Sequence, residues 1–129
     1  GRPVCFGKMP AKMRDLVSFG LEAHYKTAEL MKAGEPAAQV VIQFEEFVKK
    51  AGYGDYLLYG PCHAIGLMEV ERPWMESSSK YPLVENMTFQ VDTFLYITGK
   101  FGLRWENGVR VTKKGVEWLS SYRNEVIEL

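Results

Sequence analysis

Apolar and small positions in the first part of the chain recur at helical spacing. Met13, Leu16, Val17, Gly20, Leu21, His24, Ala28 and Met31 share one face at intervals of three and four, as in a helix that buries one stripe. This predicts a long helix from about Pro10 to Lys32. Gly34 follows as a stop, since glycine takes the left-handed conformation that ends helices without strain. Glu35-Pro36 opens a second helix, where proline is tolerated in the first turn because its missing N–H has no partner there anyway. The apolar face of this helix is Ala37, Val40, Val41, Phe44, Phe47 and Val48, and Gly52 ends it.

After Gly54 the spacing changes. Tyr56 to Tyr59 is short and apolar, then Gly60-Pro61 breaks it. Ile65 to Val70 reads as a short strand, and Pro73 to Pro82, with its three serines, as an irregular loop. Thr88 to Ile97 alternates: Phe89, Val91, Thr93, Leu95 and Ile97 face one way, Gln90, Asp92, Phe94 and Tyr96 the other. Gly99 to Gly102 is a turn, and Leu103 to Thr112 is extended again. Inside it, Asn107-Gly108 fits either a tight hairpin turn or a bulge in a continuing strand. Thr112 to Gly115 is a further turn, and Val116 to Tyr122 a terminal element of unassigned type. The fold class is α+β, two helices packed on a curved, mostly antiparallel sheet.

Length and composition narrow the function. A chain of 129 residues fits one domain, residues 1–129. With 47% hydrophobic residues it can bury enough apolar surface to offset its ordering entropy. Sixteen basic and sixteen acidic side chains cancel, which argues against nucleic-acid or anionic-membrane partners. No apolar run approaches the roughly 18 residues that span a bilayer, and no signal-peptide pattern is present. Two cysteines, Cys5 and Cys62, do not make a disulfide scaffold. A cytoplasmic setting is the expectation.

Two acids draw notice next. A hairpin closed by Gly99 to Gly102 sets Asp92 opposite Glu106 on one face, and like charges so placed repel. Either one is protonated, or a cation lies between them, or both point into water near Arg104 or Arg110. His63 lies among glycine, alanine and cysteine, where backbones approach closely. It reads as a structural loop histidine or as a metal ligand together with Cys62. A thiol nucleophile at Cys62 is disfavoured, because sequence neighbours seldom have the geometry a base needs. His24 reads as a core residue of the first helix.

Several segments together resemble the pita-bread metallohydrolases: prolidase, Xaa-Pro aminopeptidase, methionine aminopeptidase and creatinase. The family's G-H-G-I-G-L segment, followed further on by H-E, matches Cys62-His63-Ala64-Ile65-Gly66-Leu67 and then Val70-Glu71. Its G-M-V-F-T-V-E-P-G-I-Y segment matches Asn86 to Tyr96. The G-x-F-G-x-R-x-E-D and V-T-x-x-G segments of prolidase-like members match Gly99 to Asn107 and Val111 to Gly115. Lys32 to Val40 is similar to the family's lead-in between helices.

The resemblance implies a second half of a pita-bread catalytic domain. The family's dinuclear site uses two aspartates, one histidine and two glutamates, and both aspartates lie upstream of Gly1. Carried over by position, the metal ligands here are His63, Asp92 and Glu106, holding a divalent manganese, cobalt, zinc or iron ion. Asp92 stands where a glutamate binds metal and activates water, so it is also the candidate catalytic residue. Val70 replaces a second histidine that contacts substrate, and Arg104 is the motif arginine at the substrate position. An aspartate is shorter than a glutamate by about 1 Å, a displacement that can cost around 100-fold in rate. Valine supplies no hydrogen bond to an oxyanion. Ala64 in place of glycine is expected to crowd the backbone near the metal.

The implied function is metal-dependent amide hydrolysis of the Xaa-Pro peptidase type, on a peptide or small-molecule amide, incomplete or impaired in this chain. The alternatives are a non-catalytic binding module on the same scaffold and altered chemistry on a non-peptide substrate. A lone half also exposes an edge and a cleft wall. Self-association, or association with the missing N-terminal half, is therefore expected.

Overall fold

The computed structural model describes residues 1–129. Helix α1 spans Ala11–Leu30 and α2 spans Ala37–Lys50, close to the ranges the periodicity predicts. Leu16, Val17, Ala23 and His24 of α1 and Val40, Val41, Phe44 and Val48 of α2 are buried. Helix α1 stops at Leu30, before Gly34. The glycine instead takes the positive φ (+92°) that reverses the chain, and its N–H bonds to the Leu83 carbonyl at 2.8 Å.

Seven strands follow the chain: β1 Val4–Cys5, β2 Cys62–Ala64, β3 Glu71–Trp74, β4 Thr88–Ile97, β5 Phe101–Thr112, β6 Gly115–Trp118 and β7 Ile127–Glu128. Five form one antiparallel sheet in the order β3-β2-β4-β5-β6, and β1 pairs in parallel with β7. The helices cover one sheet face. Phe89, Val91 and Leu95 of β4 and Leu103, Trp105, Val109 and Val111 of β5 point into that interface and are buried. Burying each such side chain contributes ~1.5–3 kcal/mol. The Trp105 indole N–H also bonds to the Val17 carbonyl at 2.9 Å, tying α1 to β5. The opposite face carries Asp92, Phe94 and Tyr96, so the alternation expected along β4 is observed.

Two expectations about strands need correction. Ile65–Val70 is a loop, and the strands flank it as β2 and β3. Leu67 is fully exposed and Met68 63% exposed, so the apolar run there does not mark burial. Asn107-Gly108 is neither a turn nor a bulge, because β4 and β5 pair in unbroken register from Thr88↔Arg110 to Ile97↔Phe101. The Asn107 side chain is buried. It accepts from His24 Nε2 at 3.0 Å and donates to Ser120 Oγ at 3.1 Å. No helix is long and apolar enough to cross a membrane.

Candidate metal centre

The open sheet face gathers three ligand-type side chains from three adjacent strands. In β2, Cys62 and Ala64 are buried with the core residues, and His63 points the other way. The Ala64 methyl therefore faces the core and does not crowd the centre. In the β4–β5 pair, Asp92 lies directly opposite Glu106, as the turn position predicts. His63 Nε2 stands 3.7 Å from Glu106 Oε1 and 3.9 Å from Asp92 Oδ2. One ligand atom from each of the three lies within 4.8 Å of the others.

The polar accounting fits a cation. His63 Nδ1 is 3.3 Å from the Ala64 carbonyl oxygen. A carbonyl only accepts, so Nδ1 carries a hydrogen, and Nε2 faces the acids. Metal-ligating histidines are commonly oriented by such a bond. Glu106 Oε1 is buried with no hydrogen-bond partner. Asp92 is 1% exposed, so the reading in which both acids point into water does not hold. Arg104 Nε stands 3.0 Å from Asp92 Oδ1 but off the hydrogen-bond axis, and Oδ1 keeps unused acceptor capacity. The donor set of one imidazole and two carboxylates suits a divalent transition metal.

Arg104 and Tyr59 complete the surroundings. The Tyr59 hydroxyl donates to Asp92 Oδ2 at 2.7 Å and accepts from Arg104. Burial, then the bond to Asp92, pushes the Tyr59 hydroxyl up to about 12. The Tyr59 bond chiefly, with Asp92 and Glu106 nearby, raises Arg104 above its ordinary value. Arg110 is not part of the centre, since it pairs with Glu117 and Asn86.

A cleft of ≈ 350 Å³ opens beside these groups, lined among others by Tyr59, His63, Val70, Trp74, Asp92 and Arg104. Both residues expected at the substrate position, Val70 and Arg104, border it. Val70 reaches it from the Ile65–Val70 loop, which Glu71 braces by accepting the Met68 N–H at 3.2 Å. A Cβ on Gly66 would stand 2.0 Å from the Glu71 carboxylate, so the brace needs glycine there. Burial pushes the Cys62 thiol up, away from thiolate, and its Sγ packs 3.6 Å from Met31 Sδ. Neither the nucleophile nor the ligand reading of Cys62 survives. Tyr59 and Trp74 are among the cleft residues that sequence reasoning missed. Tyr59 precedes a Gly-Pro break and carries no local signal of its role. The Gly1 end of the chain also adjoins the centre, for the Gly1 carbonyl accepts the Glu106 N–H at 3.3 Å.

Comparison with known proteins agrees with this fold. The family model of metallopeptidase family M24 matches residues 1–113. The chain is 29% identical over 126 residues to the Xaa-Pro dipeptidase of Pyrococcus furiosus, covering 98% of this chain and 36% of that protein. Among solved structures it is similar to the X-Pro aminopeptidase of Thermotoga maritima, with TM-score 0.93 and 30% identity. It is likewise similar to the Xaa-Pro dipeptidase of Bacillus anthracis, with TM-score 0.93 and 28% identity. Each structural match covers 99% of this chain and 36% of the other. The chain thus spans about a third of the length of these relatives.

Proposed function

This chain belongs to metallopeptidase family M24, and from that premise we propose that it forms the histidine-and-two-acid half of a metal-dependent amidase site of the Xaa-Pro peptidase type. The observation that carries the reading is the convergence of His63, Asp92 and Glu106 within 4.8 Å. His63 Nε2, Glu106 Oε1 and an Asp92 oxygen would hold the ion. When bound, a divalent metal supplies Lewis acidity that polarises a carbonyl and acidifies water.

The chain's own residues do the rest. His63 is oriented by its Nδ1 contact with the Ala64 carbonyl, which leaves Nε2 facing the two acids. Asp92 takes up the proton of the attacking water at a carboxylate oxygen. Arg104 offsets the mutual repulsion of Asp92 and Glu106, standing 3.0 Å from the first and 3.8 Å from the second. Val70 forms an apolar wall against the substrate and donates nothing to an oxyanion, which argues for slow turnover. The chain covers about a third of its relatives' length, which supports reading it as the C-terminal half of such a domain.

One observation favours the second reading, a binding module without catalysis. Asp92 already has Tyr59 and Arg104 as partners, so its charge is partly compensated without a cation.

Metal stoichiometry separates the two. The chain is stripped with a chelator, reloaded with manganese, cobalt or zinc, freed of excess ion and counted by atomic emission. We expect about one ion per chain, lost in His63→Ala, and slow hydrolysis of X-Pro dipeptides in preference to other amides. An unloaded chain, or an ion retained by His63→Ala, overturns the metal centre. A loaded chain inert towards every amide supports the binding module.

A further inference from the structure

One contact in the cleft has no part in holding the ion itself. Tyr59 donates its only hydroxyl hydrogen to Asp92 Oδ2 at 2.7 Å. That hydrogen is committed, so Tyr59 has none left for a substrate. The ring is held in place, stacked on Phe94 at 5.7 Å between centroids. The Arg104 guanidinium lies over the same Phe94 ring at 5.6 Å. The Pro61 carbonyl, two residues on, accepts the Asp92 N–H at 2.8 Å. The Tyr59 segment is therefore tied to Asp92 through both backbone and side chain.

The tie matters because the carboxylate torsion of aspartate is intrinsically soft, a broad twofold well. Oδ2, the oxygen that Tyr59 grips, is also the one 3.9 Å from His63 Nε2. A carboxylate oxygen has two lone pairs, so one can accept from Tyr59 while the other serves a cation. We propose that Tyr59 is a positioning residue for a divalent-cation site: its hydroxyl fixes the rotation of the Asp92 carboxylate so that the free lone pair faces His63 and Glu106. The inference rests on the metal reading above and adds to it a residue outside the ligand set. Partners that orient ligating groups typically change metal affinity 10–100-fold when removed.

Cobalt(II) is the probe, because its visible bands report ligand geometry apart from activity. The full chain, Tyr59→Phe and Phe94→Leu are titrated with Co(II), following absorbance and calorimetric affinity, and melting temperatures are recorded alongside. Tyr59→Phe keeps the ring stack and loses only the hydroxyl. We expect it to bind one Co(II) per chain about 10–100-fold more weakly, with shifted bands. Phe94→Leu loosens the stack but keeps the hydroxyl, and should retain band positions even where its melting temperature falls. Wild-type affinity and spectrum in Tyr59→Phe would overturn this proposal and leave the metal centre standing. The same holds if both variants weaken binding only in step with lost stability and with unshifted bands. No Co(II) on the wild-type chain would overturn the metal centre and this proposal with it.

Discussion

His24 offers a test of the fold that is independent of the metal. The imidazole is fully buried where α1 meets β5 and β6, stacked on Trp118 at 5.5 Å. Asn107 Nδ2 donates to Ser120 Oγ, which orients the amide so that its oxygen faces His24. Nε2 therefore carries the hydrogen, at 3.0 Å, and Nδ1 is the bare nitrogen, without a hydrogen-bond partner. Adding a proton there places a charge out of contact with water. Burial, against the Asn107 bond and with Arg2 adding to the drop, lowers the pKa from 6.5 to about 4. Between those values the unfolded chain binds the proton and the folded chain does not, so stability falls as pH falls. The contribution is complete above pH 6.5, is lost progressively down to about pH 4, and levels off below. At ~1.36 kcal/mol per tenfold change in proton affinity, the whole effect slightly exceeds ~3 kcal/mol, of which ~3 kcal/mol falls above pH 4. The comparison is with His24→Gln, which retains a donor for Asn107 but does not titrate. Urea unfolding at intervals from pH 4 to 7.5 measures both, and subtraction removes the other titrating groups. Wild type should lose up to ~3 kcal/mol relative to His24→Gln across that window. Parallel stability profiles would refute a buried neutral imidazole at this position.

Gly20→Ala should destabilise the chain by ~1–3 kcal/mol through overpacking, despite alanine's better helix propensity. A Cβ there stands 2.6 Å from Leu103 Cδ1 and 3.3 Å from the Trp105 ring, and a melting temperature at or above wild type would contradict this packing. Self-association is expected from the apolar groups of the cleft, where Val70 and Trp74 are 41% and 46% exposed. Light scattering should show mass rising with concentration, and a constant monomer mass at high concentration would count against it.

Elements that bury one face over many residues were legible in the sequence, because burial imposes a period that can be read. This covers α1, α2, β4 and most of β5. The opposition of Asp92 and Glu106 was legible for the same reason: in a regular hairpin, the turn position sets every facing pair. The short strands were not. Strands of three and four residues, β2 and β3, hardly complete one period. The apolar run between them, Ile65–Val70, resembles a strand more than either does, because a cleft lip exposes side chains that elsewhere signal a core. Asn107-Gly108 failed for a different reason. Turn-type residues are small or adept at short hydrogen bonds, and tertiary structure uses the same properties. Here Asn107 satisfies a buried histidine from α1, and Gly108 leaves room for Gln90 and Leu119, which a Cβ would approach to 3.2 and 3.5 Å. The candidate centre divides along the same line. His63, Asp92 and Glu106 lie in segments whose spacing carries the family pattern, so they could be named before their geometry was known. Tyr59 acts through a single bond to a residue on another strand, and its own neighbours bear no trace of that bond. Candidate ligands can thus be named from local pattern, whereas the group proposed to aim one of them has to be found from distance, and Tyr59→Phe is the more searching test of how this site works.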